Sequence, residues 1–318
     1  MGGENNLVYG DYTNVEVQRF TLEVPLPASI ISSWENYTTL TFSQFTNHIL
    51  SASSDESGTN IMIATRSTGS YTSEVYQGWY WGSTDGGQTY TRSNNRTGPI
   101  PMDVDCDSTG THFIWGGNHG SSNWQTSIYY AADPLPNTKT EWARFKINSD
   151  KNYCKVRSMK VSEIINNSVD ENMPLFVAMS YTCGIMVYNP KEHRIYMHSG
   201  RTSGWIASTG GSADVPVEYV SNSDITSNTE SSSFYDISIS DTGRYILSVG
   251  NKIYLSKDFG KTFERIDTSI TDWEDDCIAG DISSDGEFMT LCSKTSGKVF
   301  YSSNFGTDWN NTTIDGVS

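Results

Sequence analysis

Positive charge is scarce in this sequence. Its 318 residues include 21 lysines and arginines against 37 aspartates and glutamates, which gives a formal net charge of −16 at pH 7. Proteins that bind nucleic acids present clustered Lys and Arg to the phosphates, and no such stripe occurs here. The same shortage argues against attachment to an anionic membrane surface. We therefore predict no nucleic-acid partner.

Long apolar segments are missing as well. No run of 18 apolar residues occurs, so we predict no membrane insertion. Residues 1–6 are polar and lack the apolar core of a secretory signal. Neither a signal peptide nor a transmembrane segment is therefore expected. The compartment stays undetermined, with exposure on a virion or outside a cell among the alternatives.

Metal-binding and redox motifs are also absent. The five cysteines contain no Cys-x-x-Cys pair, and the five histidines show no ligand spacing, so no zinc site and no cofactor are predicted. One cysteine pair depends on strand register. If a hairpin pairs Ile282 with Glu287, Cys277 faces Cys292 and a disulfide can form, whereas a slip of one residue abolishes it.

What the chain does contain is a repeated turn. Ser83–Tyr90, Ser256–Phe263 and Ser302–Trp309 share the pattern Ser-x-Asp/Asn-x-Gly-x-x-aromatic. The Asp or Asn side chain can accept from backbone N–H groups two residues on, and the Gly can take the positive φ that closes a hairpin. The turn residues with these roles are Ser83, Asp85, Gly87, Ser256, Asp258, Gly260, Asn304, Gly306 and Trp309.

A second turn marker advances in step with the first. It is rich in Ser and Asp, usually ends in Gly, and precedes an apolar strand. The positions of this marker are Asp55, Asp107, Asp170, Asp241 and Asp285, spaced by 52, 63, 71 and 44 residues. The positions of the first pattern, with two degenerate copies, are Asp85, Asp133, Asn189, Asp258 and Asn304, spaced by 48, 56, 69 and 46 residues. Two markers that advance together indicate a true repeat.

This repeat predicts an all-β fold. Periods of about 40–50 residues with four short strands are typical of propeller blades. We predict a single β-propeller over residues 46–318 with five four-stranded blades, or alternatively six. Residues 1–45 lie outside the repeats and would form an N-terminal arm or closing strands, with strands at Val15–Val24 and Tyr37–Phe42. The longest spacing contains a polar insertion at about 199–232, and long loops of this kind often make contacts.

The turn pattern resembles the Asp-box, or BNR, repeat of the sialidase-like and sortilin-like superfamily of β-propellers. The resemblance implies that the turns lie on the rim and serve folding. Sialidases carry an Arg-Ile-Pro element before the first box, an arginine triad and a Tyr/Glu pair. Here Arg96–Pro101 reads Arg-Thr-Gly-Pro-Ile-Pro and follows the first recognised box, so no catalytic residue can be assigned. Asp-box xyloglucanases use two propellers in a much longer chain.

Aromatic and basic side chains in polar loops are the candidate binding residues. Trp124 and His119 lie in one such loop, and Arg201 and Trp205 lie in the insertion. Their small polar neighbours cannot bury a tryptophan locally, and tryptophan is enriched at protein interfaces.

A weak candidate for a metal site is the run Asp103, Asp105 and Asp107. Their alternate positions place three carboxylates on one face of a strand, where Ca²⁺ would neutralise them. A solvated strand with a turn aspartate is the simpler interpretation, and no metal is predicted.

The sequence favours a non-catalytic β-propeller that acts as a structural or binding module in a larger assembly. Other protein subunits would be its partners, and a virion or phage tail is one such assembly. The alternative is a carbohydrate-binding or carbohydrate-cleaving protein of sialidase-like descent, with glycans as ligands. A third hypothesis is an assembly factor like the Asp-box propellers of photosystem II biogenesis. Carboxylates that converge with Arg or Tyr at the axial mouth would favour an enzyme.

Overall fold

The fold is described from a computed structural model. It describes residues 16–18, 36–39, 47–67, 78–92, 100–118, 125–131, 143–148, 156–164, 174–180, 184–198, 206–207, 218–222, 225, 234–273 and 276–313. Nearly all of these residues are in β-strands or the turns between them, and the exception is a 3₁₀-helix at Asp267–Ser269. None of them belongs to a helix with the length and hydropathy needed to span a bilayer.

Five larger sheets follow one another along the chain. The first contains β3 (Asn47–Ser54), β4 (Ile61–Ser67), β5 (Gly78–Ser83) and β6 (Thr91–Arg92). The second contains β7 (Ile100–Cys106), β8 (Phe113–Asn118), β9 (Gln125–Ala131), β10 (Ala143–Asn148) and β15 (Ile206–Ala207). The third contains β11 (Val156–Ile164), β12 (Pro174–Ser180), β13 (Gly184–Asn189), β14 (Arg194–His198) and β16 (Glu218–Asn222).

The remaining sheets complete the series. The fourth contains β17 (Phe234–Ile239), β18 (Ile246–Gly250), β19 (Tyr254–Ser256) and β20 (Glu264–Arg265). The fifth contains β21 (Cys277–Ile282), β22 (Met289–Ser293), β23 (Lys298–Ser302) and β24 (Asn310–Thr313). A separate antiparallel pair joins β1 (Glu16–Gln18) to β2 (Asn36–Thr39).

The first strand of every larger sheet is an edge strand, and in the first four sheets it lies against the first strand of the next sheet. Contacts run from β3 to β7, then to β11, β17 and β21. First strands that succeed one another in this way surround an axis, and this is the architecture of a β-propeller. The all-β propeller fold expected from the repeat is therefore confirmed.

The five first strands share an irregularity that makes them equivalent. In each, the pairing register shifts near the start of the strand, and the next regular pair begins at Ser51, Asp103, Ser158, Asp236 or Ala279. Strand β11 has a second shift, between Val161 and Ile164. Such a shift is the mark of a β-bulge, which bends a strand and increases its twist. Residues at the same distance from the bulge can therefore be compared between sheets.

The polar insertion extends two sheets beyond the predicted four strands. Strand β15 pairs with β10 at the outer edge of the second sheet, and β16 runs parallel to β14 at the outer edge of the third. The insertion thus covers two outer edges that would otherwise expose unpaired backbone groups.

Apolar side chains fill the spaces between successive sheets. Between the fourth and fifth sheets, for example, Leu247 and Val249 pack with Leu291 and Phe300, and all four are buried. Three further clusters occupy the spaces between the first and second, second and third, and third and fourth sheets. Burial on this scale is the dominant favourable contribution to folding.

The three repeated turns share one hydrogen-bond geometry. In the turn from β19 to β20, Ser256 Oγ donates to Asp258 Oδ1 at 2.9 Å and accepts from Gly260 N at 3.0 Å. Asp258 then accepts from the backbone N of Thr262 at 3.0 Å. Asp258 therefore accepts from the backbone N–H group four residues further along the chain. The prediction that it accepts from the group two residues further along is wrong. Asp85 and Asn304 make the corresponding bonds to Thr89 and Asp308.

The register of the fifth sheet differs from the one that would bridge the cysteines. Ile282 pairs with Met289 and not with Glu287, and the bulge places Cys277 opposite Ser293. Both Cys277 and Cys292 are free thiols. The condition that would place Cys277 opposite Cys292 is therefore not met, because the hairpin register differs from the required one by two residues.

A comparison of two glycines in these turns separates the cost of backbone strain from the cost of a steric clash. Gly260 has φ +74°, and a Cβ there would lie 2.5 Å from Cγ1 of Val187 in the preceding sheet. Gly86 has φ +69°, but the nearest atom to its Cβ would be 3.6 Å away. We predict that Gly260→Ala costs roughly 2–4 kcal/mol of unfolding free energy and Gly86→Ala only about 1 kcal/mol. Denaturant unfolding measures both, and equal losses would contradict the inter-sheet contact.

Candidate axial site

Two rows of side chains lie on the first strands, closest to the axis. Each row takes one residue from every larger sheet, at the same distance from the bulge. The bulge row consists of Ser51, Asp103, Ser158, Asp236 and Ala279. The turn row lies two residues further on and consists of Ser53, Asp105, Lys160, Ser238 and Asp281. These rows bring four carboxylates and one ammonium group into the centre of the molecule.

Asp105 joins three successive sheets. Its Oδ2 accepts from the backbone N of Val161 at 2.8 Å, and its Oδ1 accepts from Ser53 Oγ at 3.0 Å. The carboxylate is buried. A buried carboxylate is tolerated only when it is hydrogen-bonded, and here both oxygens are used.

Asp103 repeats this arrangement one pleat away. Its Oδ2 accepts from the backbone N of Met159 at 2.5 Å, and its Oδ1 accepts from the backbone N of Val104 at 3.0 Å. Side chains at alternate positions of β7 therefore bind alternate backbone amides of β11. An edge strand presents unpaired N–H groups, and these two aspartates satisfy them.

The fourth and fifth sheets are connected by the same kind of bond. Ser238 Oγ donates to Asp281 Oδ1 at 2.8 Å and accepts from the backbone N of Ile282 at 3.2 Å. Asp236 accepts from the backbone N–H of Gly280. Polar groups of one first strand are again paired with those of the next.

Lys160 is the cation of the cluster. Burial alone would lower the pKa of its ammonium group, but the surrounding carboxylates outweigh that effect and hold the pKa above its ordinary value. The carboxylates that act on it are Asp105, Asp103, Asp236 and Asp281. Lys160 therefore stays protonated and neutralises part of a strongly acidic centre.

Burial acts on the carboxylates in the opposite direction. It raises the pKa of Asp103 to about 6, against the attraction of Lys160, and it also raises the pKa values of Asp105 and Asp236. Burial disfavours the charged form of a carboxyl, and one lysine cannot compensate for several of them. Asp103 can therefore bind a proton near neutral pH.

A second series of bonds joins the turns that follow the first strands. Glu56 N donates to Ser108 O at 2.9 Å, and Ser108 N donates to Glu163 Oε1 at 2.7 Å. Glu163 N donates to Asp241 O at 3.0 Å, and Asp241 N donates to Ser284 O at 2.9 Å. The five residues are equivalent in the five sheets, so the series runs from the first sheet to the fifth.

The three aspartates of the weak metal candidate do not converge. Asp103 and Asp105 bind the backbone of β11, whereas Asp107 accepts from His112 Nδ1 at 2.9 Å within its own turn. Hydrogen bonds from His112 and Thr109 hold the pKa of Asp107 low despite its burial. Across the described ranges, no group of His, Cys, Asp and Glu has the arrangement of a metal site.

The candidate binding residues Trp124, Trp205, His119 and Arg201 lie outside the described residues. In contrast, Lys160, Asp236 and Asp281 belong to the site but do not follow from the sequence pattern. The second turn marker contains a signal for them, because the turn row lies two residues, and the bulge row four residues, before each turn that follows a first strand. The marker does not locate the rows accurately, because its aspartate lies at a different position within each turn.

Comparisons with known proteins show likeness in structure only. No family model matches the chain, and no curated protein matches it. Solved structures that match include YCF48 bound to a D1 peptide, with 14% identity, a TM-score of 0.49, and coverage of 88% of this chain and 71% of that one. A chain of a nidogen/laminin complex has 7% identity and a TM-score of 0.49, with 95% and 91% covered.

A longer enzyme also matches. The GH74 enzyme of Niastella koreensis has 14% identity and a TM-score of 0.28, and the match covers 89% of this chain but only 37% of the enzyme. With identities of 7–14% and TM-scores below 0.5, these structures assign no activity to this chain.

The raised pKa of Asp103 predicts a pH-dependent stability. A folded-state pKa of about 6, above the unfolded value of 3.8, means that stability falls as pH rises from about 4 to about 6. Asp103→Asn removes this contribution while keeping an oxygen acceptor. We expect the melting temperature of the variant, relative to the unmodified protein, to rise by about 4 °C between pH 4 and pH 7.5.

Asp85→Asn is the matched control for this pH series. Hydrogen bonds from Thr89 and Ser83 lower the pKa of the exposed Asp85 to about 2, so this carboxyl is ionised throughout the window. Its substitution should shift the melting temperature by the same amount at every pH. A pH profile of Asp103→Asn that runs parallel to that of the unmodified protein would contradict the buried-carboxyl assignment.

Proposed function

We propose that the chain is a non-catalytic β-propeller that serves as a structural or binding module in a larger assembly. Other protein subunits are its partners, and a virion or phage tail is one such assembly. This proposal rests on the hydrogen bonds that the axial carboxylates accept. Both oxygens of Asp105 and one oxygen of Asp103 accept hydrogen bonds from neighbouring sheets, and the other oxygen of Asp103 accepts from the backbone N of Val104.

A catalytic carboxyl needs an oxygen within hydrogen-bond reach of the substrate. Asp103 and Asp105 have no such oxygen to spare, and Oδ1 of Asp281 accepts from Ser238 and from the backbone N of Ile282. These bonds give the cluster an architectural role. They also leave the outer surface, and not the axis, as the place for partners.

The repeated turns support membership of the Asp-box class. The serine, the Asp or Asn and the glycine form the same bonds in three turns, each between the third and fourth strands of a sheet. In the third turn the bond between the two side chains runs in the opposite direction to the bond between Asp258 and Thr262, because Asn304 Nδ2 donates to Asp308 Oδ2 at 2.8 Å. Turns of this kind serve folding and leave the blade surfaces free for contacts.

The insertion at 199–232 offers the contact surface. Its two strands are anchored on the second and third sheets, and Arg194 Nε donates to Glu218 Oε2 at 2.8 Å beside the parallel pair. Trp205 and Arg201 belong to this insertion, and they remain the proposed contact residues together with Trp124 and His119.

The mass of the native particle tests this function. We predict that protein isolated gently from its natural source sediments as a particle larger than the 35.3 kDa chain. Recombinant chain provides the comparison, because it reveals whether self-association alone produces the larger mass. A 35.3 kDa monomer in both preparations would contradict the proposed role in an assembly.

A second candidate function is carbohydrate cleavage, and one observation favours it. Glycosidases use a pair of carboxyl groups of which one stays protonated near neutral pH. Asp103, with a pKa raised to about 6 by burial, lies in a cluster with an exposed carboxyl at Asp281. Carbohydrate binding without cleavage would use the tryptophans of the polar loops instead.

Hydrolysis assays separate the two candidates. We predict no release of chromophore from a panel of aryl glycosides, and no difference between the unmodified protein and Asp103→Asn or Asp281→Asn. Hydrolysis that both substitutions abolish, with the melting temperature retained, would replace the structural function with an enzymatic one. A glycan array tests carbohydrate binding, and binding lost in Trp205→Ala would identify a lectin.

A further inference from the structure

Positive charge is concentrated where the turns of the third sheet meet those of the fourth. Five of the 21 lysines and arginines of the chain lie there, although the net charge is −16. They are Lys191, Arg194, Arg244, Lys257 and Lys261. A basic surface on an acidic protein attracts anionic groups that the rest of the molecule repels.

Two of these cations are neutralised within the chain. Lys261 Nζ forms an ion pair with Glu192, and Arg194 lies 3.7 Å from the same carboxylate. Arg194 also donates to Glu218 at 2.8 Å. The other three cations form no ion pair with any residue that the structure describes. They are Lys191, Arg244 and Lys257.

The three remaining cations lie around the ring of Phe259. Lys191 Nζ is 4.1 Å from the ring centroid, which is the geometry of a cation–π contact. Phe259 N donates to Arg244 O at 3.2 Å, and Arg244 Nε donates to Lys257 O at 3.3 Å. The adjacent carboxylate of Asp258 uses both oxygens for bonds within its own turn. These contacts bring the cations of two sheets together on one surface.

Phe305 extends this surface to the fifth sheet. Its ring stacks on Tyr245 with the centroids 5.3 Å apart, and the guanidinium carbon of Arg244 lies 5.4 Å from the centroid of the same Tyr245 ring. Tyr245 is buried, whereas Phe305 is 39% exposed. The contact with Tyr245 thus leaves much of the Phe305 ring open to solvent. Aromatic residues and Arg are enriched together in protein interfaces.

The backbone gives an independent reason to assign a role to Phe305. Phe259 and Phe305 have φ values of +63° and +59°, and Gly86 takes the corresponding position in the first repeated turn. Glycine adopts this conformation without strain, whereas a residue with a Cβ does not. Phe259 packs partly against the cluster between the third and fourth sheets, but Phe305 belongs to none of the four clusters. Backbone strain that core packing does not explain points to a function.

We propose that this turn patch, which consists of Lys191, Arg244, Lys257, Phe259 and Phe305, docks an acidic segment of another protein. Carboxylates of the segment pair with the three cations, and an apolar side chain of the segment packs on Phe305. The inference rests on the proposed function, because it names the chemistry of one partner of the binding module. It also adds a second contact surface, since the patch lies on the turns and not in the polar insertion.

The charge of the chain selects this occupant. A second copy would bring a further net charge of −16, and the two molecules would repel each other over their whole surfaces. A nucleic acid needs a longer series of cations to neutralise its phosphates. A short acidic segment of a different protein adds few charges and can meet all three cations at once.

Fluorescence anisotropy with a labelled peptide tests the patch. The probe is a glutamate-rich peptide that contains leucine, and its counterpart has Gln in place of every Glu. We expect the recombinant chain to bind the acidic peptide and not the counterpart, with an affinity that falls as salt is added. Arg244→Gln combined with Lys257→Gln removes two exposed charges and should weaken binding about fivefold or more.

Arg92→Gln combined with Lys294→Gln is the matched control. Both residues are exposed and lie outside the patch, so the control has the same net charge as the test variant. It should bind the acidic peptide as tightly as the unmodified chain does. If the test variant does not fold, Lys257→Gln alone is compared with Lys294→Gln.

Phe305→Ala examines the apolar part of the patch. The substitution removes the exposed ring and keeps a Cβ at the strained position, so peptide binding should weaken. Ile278→Ala is its control, because Ile278 is 46% exposed and lies at the start of β21, away from the turns. The control should leave peptide binding unchanged.

Several outcomes would overturn the proposal. No binding of the acidic peptide, or equal weakening in the two double variants, would show that the patch is not a specific site. Tighter binding of a labelled oligothymidylate would identify a nucleic-acid surface. Self-association of the recombinant chain that is lost in Arg244→Gln with Lys257→Gln would identify a second copy as the occupant.

This inference and the proposed function can fail separately, because the peptide test uses the recombinant chain alone. A large native particle whose recombinant chain ignores the acidic peptide contradicts only the patch. A native monomer that binds the peptide through Arg244 and Lys257 contradicts only the role in an assembly.

Discussion

The hydrogen bonds between neighbouring first strands are the interaction on which the structure depends. Each first strand is an edge of its sheet, and an edge strand has backbone N–H groups without a partner in the sheet. Asp103 and Asp105 satisfy the amides of Met159 and Val161 in the next sheet. The bonds from Glu56 to Ser284 by way of the second, third and fourth sheets do the same at the turns. The apolar clusters lie between sheets whose first strands are held in this succession.

Holding the sheets with carboxylates has an electrostatic consequence. Aspartates that accept backbone bonds near the axis are close to one another, and burial makes their charges costly. Lys160, one of few lysines in an acidic chain, lies among them and reduces that cost. The compensation is partial, as the raised pKa of Asp103 shows. Breaking a buried ion pair generally costs more than the pair contributes, so such clusters act mainly in specifying which strands meet.

Several features of the fold could be predicted from the sequence because they are local. The serine, Asp or Asn and glycine of each repeated turn interact within five residues, so the pattern alone indicates a hairpin at Ser256–Gly260. The alternation of turn markers likewise predicts four strands per sheet. The reach of Asp258 to the amide of Thr262 was not predicted, because it depends on positive φ at both Phe259 and Gly260. Local composition does not reveal that conformation at a phenylalanine.

Features that join distant residues were beyond the sequence. Asp105 meets Val161 across 56 positions, and Ser238 meets Asp281 across 43. The bulges set these meetings, and a bulge leaves no pattern in residue type that is shared by Ser51, Asp103 and Ala279. The register of the fifth sheet, which pairs Ile282 with Met289, also separates Cys277 from Cys292. The amino-acid sequence by itself determined an all-β repeat and its turns, because short-range hydrogen bonds and φ preferences suffice for them. Only the tertiary structure decided which side chains meet at the axis and where the insertion adds strands, because those contacts require the sheets to be in place.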